Sequence, residues 1–155
     1  MPIIGVHHFC ISVTNLDRTL EFYTKHLGAK VENVVQNKDG TLGRSLFGTK
    51  WGVDRKPADI TLALVRIAGA RIEFIQYNDP PASPYHKNPS AAGSAHIAVQ
   101  VEEIEAVRAQ LEEEGVEFHS PINHFHGEKW CYFRDPDGIV VELIQPPNEK
   151  SQKLK

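Results

Sequence analysis

Two histidines and two glutamates occupy matching positions in two similar stretches of the chain. The first stretch begins with His8 and ends with Glu73, and the second begins with His96 and ends with Glu142. Imidazole nitrogens and carboxylate oxygens are ligands that Zn, Ni, Co, Mn and Fe(II) accept in proteins. A charged glutamate within a hydrophobic strand needs a partner, because an unpaired buried ion costs on the order of several kcal/mol. We therefore predict that these four residues hold one divalent cation.

An internal repeat places these residues in equivalent parts of two segments. The first segment, from residue 7, reads HHFCISVTNLDRTLEFYTKHLGAKV, and the second, from residue 95, reads AHIAVQVEEIEAVRAQLEEEGVEF. Both begin with a histidine in a β-like run, continue through an amphipathic helical pattern and stop at a glycine. The closing runs also match, since IEFIQ at 72–76 corresponds to VELIQ at 141–145. Each copy therefore starts with a histidine strand and ends with a glutamate strand.

Apolar residues at helical spacing predict one helix in each copy. The apolar face of the first contains Leu16, Leu20, Tyr23 and Leu27, and that of the second contains Ile104, Val107 and Leu111. Thr14 or Asn15 is expected to cap the start of the first helix. Gly28 and Gly115 suit the left-handed residue that ends each helix.

Alternation along each opening strand separates a polar face from an apolar one. The polar positions are His8, Cys10, Ser12, His96, Ala98 and Gln100, and the apolar positions are Phe9, Ile11, Val13, Ile97, Val99 and Val101. We expect the apolar positions to pack under the helices and the histidine faces to line a cavity. The same phase puts His7 among the core-facing residues. Cys10 and Cys131 form no CxxC pair and are expected to be ordinary packing residues.

The repeat predicts one domain over residues 1–145, with a first module at about 5–77 and a second at about 94–145. A proline-rich connector covers 78–93, and a polar tail covers 146–155, which we expect to be flexible. The first module carries about 19 extra residues, which we assign to a loop at 36–59. Four residues of this loop suit contact with an anionic or aromatic substrate, although an ordinary solvated loop has the same composition: Arg44, Lys50, Trp51 and Arg55.

Composition limits the classes of partner. The chain has 155 residues, 41% of them hydrophobic and 24% charged, so one compact body with a packed core is expected. The formal net charge is −3 and no basic stripe is present, which argues against nucleic acid. No stretch has the length of a membrane span or the pattern of a secretory signal, so we expect a cytoplasmic protein without a membrane partner.

The opening segment and the closing segment YFRDPDGIVVELIQ together resemble the vicinal oxygen chelate superfamily over residues 7–145. This superfamily includes glyoxalase I, methylmalonyl-CoA epimerases, extradiol dioxygenases, and fosfomycin- and bleomycin-resistance proteins. The resemblance implies an α+β fold of two tandem βαβββ modules that form a curved mixed sheet around a metal cavity. It also implies a homodimer that acts on a small-molecule substrate.

The family's four metal positions correspond to His8, Glu73, His96 and Glu142. Their occupation by competent ligands argues against the bleomycin-binding members, whose sites carry no metal. Fosfomycin-resistance members resemble this chain less, because their His-His-Glu set does not use a carboxylate at Glu73. The implied cofactor is one divalent ion, either Zn, Ni, Co, Mn or Fe(II).

The leading hypothesis is an isomerase, epimerase or lyase acting on a small α-hydroxycarbonyl, thioester or thiohemiacetal. The metal would polarise the substrate oxygens and stabilise the enediolate that forms when a neighbouring proton leaves. Glu142 is the predicted base, and Glu73 is its predicted partner on the other side of the substrate.

Two alternatives remain open. An extradiol-type dioxygenase using Fe(II) or Mn(II) would take His8, His96 and Glu142 as its two-histidine, one-carboxylate face. In that interpretation His124 is an acid or base and Tyr132 a substrate hydrogen-bond donor, whereas a loop histidine and a strand-core tyrosine are the ordinary explanations. Cys131 departs from the extradiol pattern, because that pattern usually has a larger hydrophobic residue at this position. The other alternative is a protein that binds a drug or metabolite without turnover.

Overall fold

The fold is described by a computed structural model for residues 2–38, 59–79, 81–82, 90 and 93–147. These residues belong to two compact units, Met1–Pro84 and Tyr85–Lys155. The loop residues predicted to face a substrate, most of the connector and most of the tail lie outside the described residues. No helix in the described ranges has the length and apolar character needed to cross a membrane.

The first unit has the element order βαβββ. Its elements are β1 (Phe9–Val13), α1 (Leu16–Leu27), β2 (Lys30–Asn37), β3 (Asp59–Ile67) and β4 (Ala70–Asp79). The sheet order is β1-β4-β3-β2, in which β1 runs parallel to β4 and the other neighbours are antiparallel. The last strand extends to Asp79, two residues into the segment predicted as connector.

The second unit repeats this order. Its elements are β5 (His96–Gln100), α2 (Ile104–Glu113), β6 (Asn123–Phe125), β7 (Glu128–Arg134) and β8 (Val140–Gln145). The sheet order is β5-β8-β7-β6, again with the first and last strands parallel. The predicted α+β class with tandem βαβββ modules is therefore confirmed.

Local sequence sets the ends of both helices. The Asn15 side chain accepts a hydrogen bond from the Arg18 backbone N–H at 2.9 Å, so Asn15 rather than Thr14 caps α1. Gly28 ends α1 with a φ of 61°, and Gly115 follows α2 with a φ of 90°, a conformation that favours glycine. Both predicted stops are confirmed.

Two expectations about the first strand were wrong. Phe9 was expected to pack under the helix, but its side chain is 65% exposed. It is the first residue of an edge strand, so it has a neighbouring strand on one side only. His7 was assigned to the core, but it precedes β1 and is exposed. Alternation predicts faces only inside the paired part of a strand, and His7 lies before that part begins.

One glutamine in each unit joins the start of the helix to the closing strand. The Leu16 backbone N–H donates to Gln76 Oε1 at 2.6 Å, and the Ile104 backbone N–H donates to Gln145 Oε1 at 2.9 Å. Both N–H groups lie in a first helical turn and have no partner within the helix. The glutamine that ends each repeated closing run therefore satisfies a helix terminus and fixes the helix against the strand that carries the glutamate.

Replacing Gln145 with Ala is expected to lower the free energy of unfolding by about 1 to 2 kcal/mol, because the partly buried Ile104 N–H loses its acceptor. Urea denaturation followed by circular dichroism measures this change. Gln110→Ala is the matched control, because Gln110 lies on the exposed side of α2 and bonds only to Glu114 among the described residues. Its effect should stay within about 0.5 kcal/mol. Equal effects in the two variants would contradict this role for Gln145.

Candidate metal site and adjoining pockets

Glu142 is the most enclosed of the four predicted ligands, with a relative exposure of 8%. It lies in the middle of β8, next to Ala98 on β5 and Tyr132 on β7. Its Oε2 atom is 3.0 Å from His96 Nε2, and its Oε1 atom accepts a hydrogen bond from the Tyr132 hydroxyl at 3.2 Å. The two carboxylate oxygens therefore have different partners. Burial, followed by the negative charge of Glu142, raises the pKa of Tyr132, so its hydroxyl stays protonated as a donor.

The equivalent pair in the first unit is His8 and Glu73. His8 Nε2 is 3.7 Å from Glu73 Oε1. The other ring nitrogen of His8, Nδ1, is 2.7 Å from Nδ1 of His7. The two imidazole rings meet edge to face, with 5.0 Å between their centroids. His7 is thus a neighbour of the predicted ligand rather than a core residue.

Cys10 also belongs to this half of the site, although packing was expected of it. It pairs with Glu73 across β1 and β4, and its thiol hydrogen-bonds to that carboxylate. Partial burial, followed by the charge and the hydrogen bond of Glu73, raises the pKa of Cys10 to about 11. The prediction was wrong because Cys10 occupies the polar face of the strand, next to the glutamate. Cys131, in contrast, is buried as predicted, and both cysteines are free.

The donor atoms of each pair suit a divalent ion. Two ligands bound to one ion at about 2.0 to 2.2 Å lie about 3.0 to 3.6 Å apart, depending on the angle between them. The separation in the second unit, 3.0 Å, falls at the short end of this range, and that in the first unit, 3.7 Å, lies just above its long end. Within either unit the described residues bring together such pairs, not clusters of three or more His, Cys, Asp or Glu ligands. Convergence of both pairs on one ion remains a prediction.

An open pocket of about 400 Å³ adjoins Glu142 in the second unit. Both partners of Glu142, His96 and Tyr132, line this pocket. The full lining consists of Ser94, Ala95, His96, His119, Tyr132, Arg134 and Val140. The His119 ring stacks on the Tyr132 ring at 6.2 Å between centroids. Burial, followed by the charge of Arg134, lowers the pKa of His119, so this imidazole is neutral at pH 7.

Sequence reasoning missed His119 and selected His124 instead. His119 follows α2 in a segment without strand alternation, and a backbone hydrogen bond from its N–H to the Tyr132 carbonyl positions it. No sequence pattern marks this contact. His124 pairs with Lys129 on β7, and Lys129 reaches Glu105 on α2. His124 therefore lies on the helix-covered face of the sheet, opposite the face of Glu142, and the structure does not bring these two residues together.

Residues 5–143 match the family model of the Glyoxalase/Bleomycin resistance protein/Dioxygenase superfamily. The chain belongs to this superfamily. Its members include enzymes and bind small-molecule substrates, and some bind divalent metals. A 2-epi-5-epi-valiolone epimerase from an Actinomyces species is 29% identical over 93% of this chain and 80% of its own length.

Two solved structures have the same fold. A glyoxalase family protein from Bacillus cereus aligns with a TM-score of 0.79 and 20% identity, over 96% of this chain and 97% of that chain. A fosfomycin resistance protein from Listeria monocytogenes, solved with Mn(II) and sulfate, aligns with a TM-score of 0.63 and 18% identity, over 98% of this chain and 99% of that chain. At these identities the likeness shows the fold alone.

Replacing Tyr132 with Phe is expected to weaken divalent-metal binding by about 10- to 100-fold, because Glu142 loses the donor that orients it. Metal titration followed by the shift in thermal unfolding measures this effect. His124→Gln is the control, since His124 lies on the other face of the same sheet, and its metal affinity should match that of the unmodified chain. Equal metal affinity in Tyr132→Phe and His124→Gln would contradict the positioning role.

Proposed function

We propose that this protein is a metal-dependent isomerase, epimerase or lyase that removes a proton from carbon next to a carbonyl group. The observation that carries the proposal is the burial of the Glu142 carboxylate and the contacts of its two oxygens. A buried carboxylate has one oxygen beside a histidine and the other bonded to a tyrosine, and both partners line a pocket. Such a carboxylate is held in one orientation, as a base next to a metal ligand must be.

We propose that His8, Glu73, His96 and Glu142 hold the ion. The separations within the two pairs support this assignment, as does the combination of imidazole and carboxylate donors. A divalent ion bound there would polarise the substrate carbonyl and stabilise negative charge that develops on its oxygen. The Mn(II) bound by the fosfomycin resistance relative supports a divalent ion of this class, without deciding which one this chain uses.

The proposed steps use the chain's own groups. Glu142 accepts the proton from the substrate carbon, and either returns it to the neighbouring carbon or leaves Glu73 to deliver a proton to the same carbon from the opposite face. Tyr132 holds Oε1 of that glutamate, which keeps the carboxylate from rotating during the transfer. Glu73 is the proposed second carboxylate, acting on the opposite side of the substrate. The neutral His119 imidazole, stacked on Tyr132, closes one side of the pocket.

The epimerase relative supports proton transfer at carbon, because epimerisation inverts a stereocentre by that step. A dioxygenase has less support, since the acid or base assigned to it, His124, lies on the helix-covered face of its sheet. A homodimer is proposed from the family resemblance. Anaerobic loading with Fe(II), followed by catechol and oxygen, tests the dioxygenase directly, because ring cleavage would replace the present proposal.

Metal stoichiometry tests the four-residue site. We expect one tightly bound divalent ion per chain, and we expect His8→Ala and His96→Ala each to abolish tight binding, because each removes a ligand of the same ion. Elemental analysis after dialysis measures the metal content. His26→Ala, on helix α1, is the control and should retain one ion. Two ions per chain, with one retained in each of the two ligand variants, would contradict the shared site.

Glu142→Gln is expected to slow hydrogen–deuterium exchange at the substrate carbon by two to four orders of magnitude, about the scale of general base catalysis. The amide keeps the size and one oxygen ligand, so some metal should remain, and folding should survive because an amide is easier to bury than a carboxylate. Deuterium incorporation is measured by NMR on α-hydroxycarbonyl, thioester and thiohemiacetal probes, with metal content determined in the same samples.

Two results of that experiment would contradict the assignment. Near-normal exchange in metal-replete Glu142→Gln would transfer the role of base to Glu73. Loss of activity in strict proportion to loss of metal would leave Glu142 as a ligand only. Absence of exchange with all three probe classes in the metal-loaded unmodified protein would contradict the proposed reaction type.

A further inference from the structure

Two arginines and one glutamate form a charged cluster on the sheet of the first unit. Arg66 Nε and Nη2 lie 2.7 and 2.6 Å from Glu32 Oε1, and Arg71 Nε lies 2.7 Å from Glu32 Oε2. Hydrogen bonding by Arg71 is the first cause of a lowered pKa for Glu32, so the carboxylate stays ionised at neutral pH. One carboxylate thus faces two guanidinium groups, which leaves the cluster with a net charge of +1.

A neighbouring histidine takes one of the hydrogen-bond donors of this cluster. Arg71 Nη1 lies 2.8 Å from His7 Nε2, and a guanidinium only donates hydrogen bonds. His7 Nε2 must therefore be the acceptor of this hydrogen bond. Each guanidinium carries five N–H donors, and the described partners of Arg66 and Arg71 use only part of them. Donors on both arginines remain for a ligand.

The arginines lie on the same face of the sheet as Glu73. Arg66 pairs with Arg71 across β3 and β4, and Leu64 pairs with Glu73 one step further along the same face. Two residues on one face of a strand are about 7 Å apart. Beyond Glu73 the face becomes apolar, with the buried cluster Ile60, Leu62 and Ile75. Cationic, metal-binding and apolar groups therefore follow one another along a single surface.

A pocket joins the arginines to a predicted metal ligand. Its volume is about 310 Å³, and it is lined by Val6, His7, His8, Phe9, Arg66, Gly69, Ala70 and Arg71. This volume is at the lower end of the range for small-molecule sites. A ligand in this pocket would contact both guanidinium groups and the ring of His8.

The second unit lacks this arrangement. By strand register, the position equivalent to Arg71 is Val140, which pairs with His96. Arg134 occupies the position equivalent to Arg66 and lines the same pocket as His96, so each unit has one arginine near its histidine. Only the first unit has a second arginine, Arg71, paired with the first. One arginine would be enough to neutralise the charge of Glu32. The second arginine gives the cluster its surplus charge.

We propose that Arg66 and Arg71 form an anion subsite that holds a carboxylate or phosphate group of the substrate, beside His8 and about 7 Å along the strand from Glu73. This inference rests on the proposed function and narrows it to anionic substrates. Paired N–H donors on a guanidinium match two oxygens of either group, whereas a neutral hydroxyl would leave the positive charge uncompensated. Glu32 holds the two guanidinium groups side by side.

The test uses the full chain, stripped of metal with a chelator and dialysed, at pH 8 and low ionic strength. Inorganic phosphate and acetate are titrated separately by calorimetry. Binding of phosphate or acetate is expected for the unmodified chain, and the stronger of the two identifies the preferred group. Arg66→Gln should weaken that binding about 10-fold or more, the usual loss for a hydrogen bond to a charged group. Added salt should weaken it too.

Matched variants separate the subsite from net charge and from folding. Arg18→Gln removes the same charge from helix α1, outside the lining of the pocket, and should bind the anion as the unmodified chain does. Arg66→Lys keeps the charge but loses the planar fork, so its affinity should fall between those of Arg66→Gln and the unmodified chain. Circular dichroism checks that each variant is folded. If Arg66→Gln does not fold, Arg66→Lys replaces it as the test variant.

Three results would overturn the subsite: no binding of either anion, equal weakening in Arg66→Gln and Arg18→Gln, or unchanged affinity in Arg66→Gln. None of these measurements involves a metal or turnover, so they are independent of the proposed reaction. If the anions bind as expected but the metal-loaded protein exchanges no probe, the proposed function fails while the subsite stands. If exchange occurs without anion binding, the subsite fails while the proposed function stands.

Discussion

The parallel pairing of the first and last strand is the constraint on which each unit depends. This register sets Cys10 opposite Glu73 in one unit and Ala98 opposite Glu142 in the other. Each glutamate consequently lies near a histidine, His96 at the start of β5 and His8 directly before β1. A slip of one residue would turn the glutamate toward the helix and replace it with an apolar side chain. The apolar neighbours on either side of each glutamate prevent that slip, because they must stay buried.

The helices reinforce the same register. In both units a glutamine three residues after the glutamate accepts a hydrogen bond from the first turn of the helix. The closing strand is thus fixed from one side by ladder hydrogen bonds and from the other by a helix terminus. Since a helix begins within a few residues of the opening strand, the helix is connected to both the opening and the closing strand. The repeated motif therefore carries both the predicted ligand and the contact that holds its strand in place.

The two units differ where the repeat does not constrain them. Glu142 has a tyrosine on the neighbouring strand, whereas the equivalent neighbour of Glu73 is Leu64. The first unit instead has a thiol beside its glutamate and a cationic cluster next to its histidine. This asymmetry suits the division that we propose, in which the second unit orients the base and the first unit binds a charged end of the substrate.

The sequence by itself predicted the opening strand, the helix and the closing strand of each unit, because hydrophobic period, helix caps and glycine stops are local properties. The two middle strands of each unit followed only from the family resemblance. The sequence also identified the four candidate ligands, because the repeat aligned them. Tertiary structure alone decided which other side chains adjoin them. Cys10 lies against Glu73, and His119 stacks on Tyr132, through contacts between separate segments of the chain. No local pattern encodes such pairings, since they depend on strand register and loop path, and these are fixed only when the whole sheet forms.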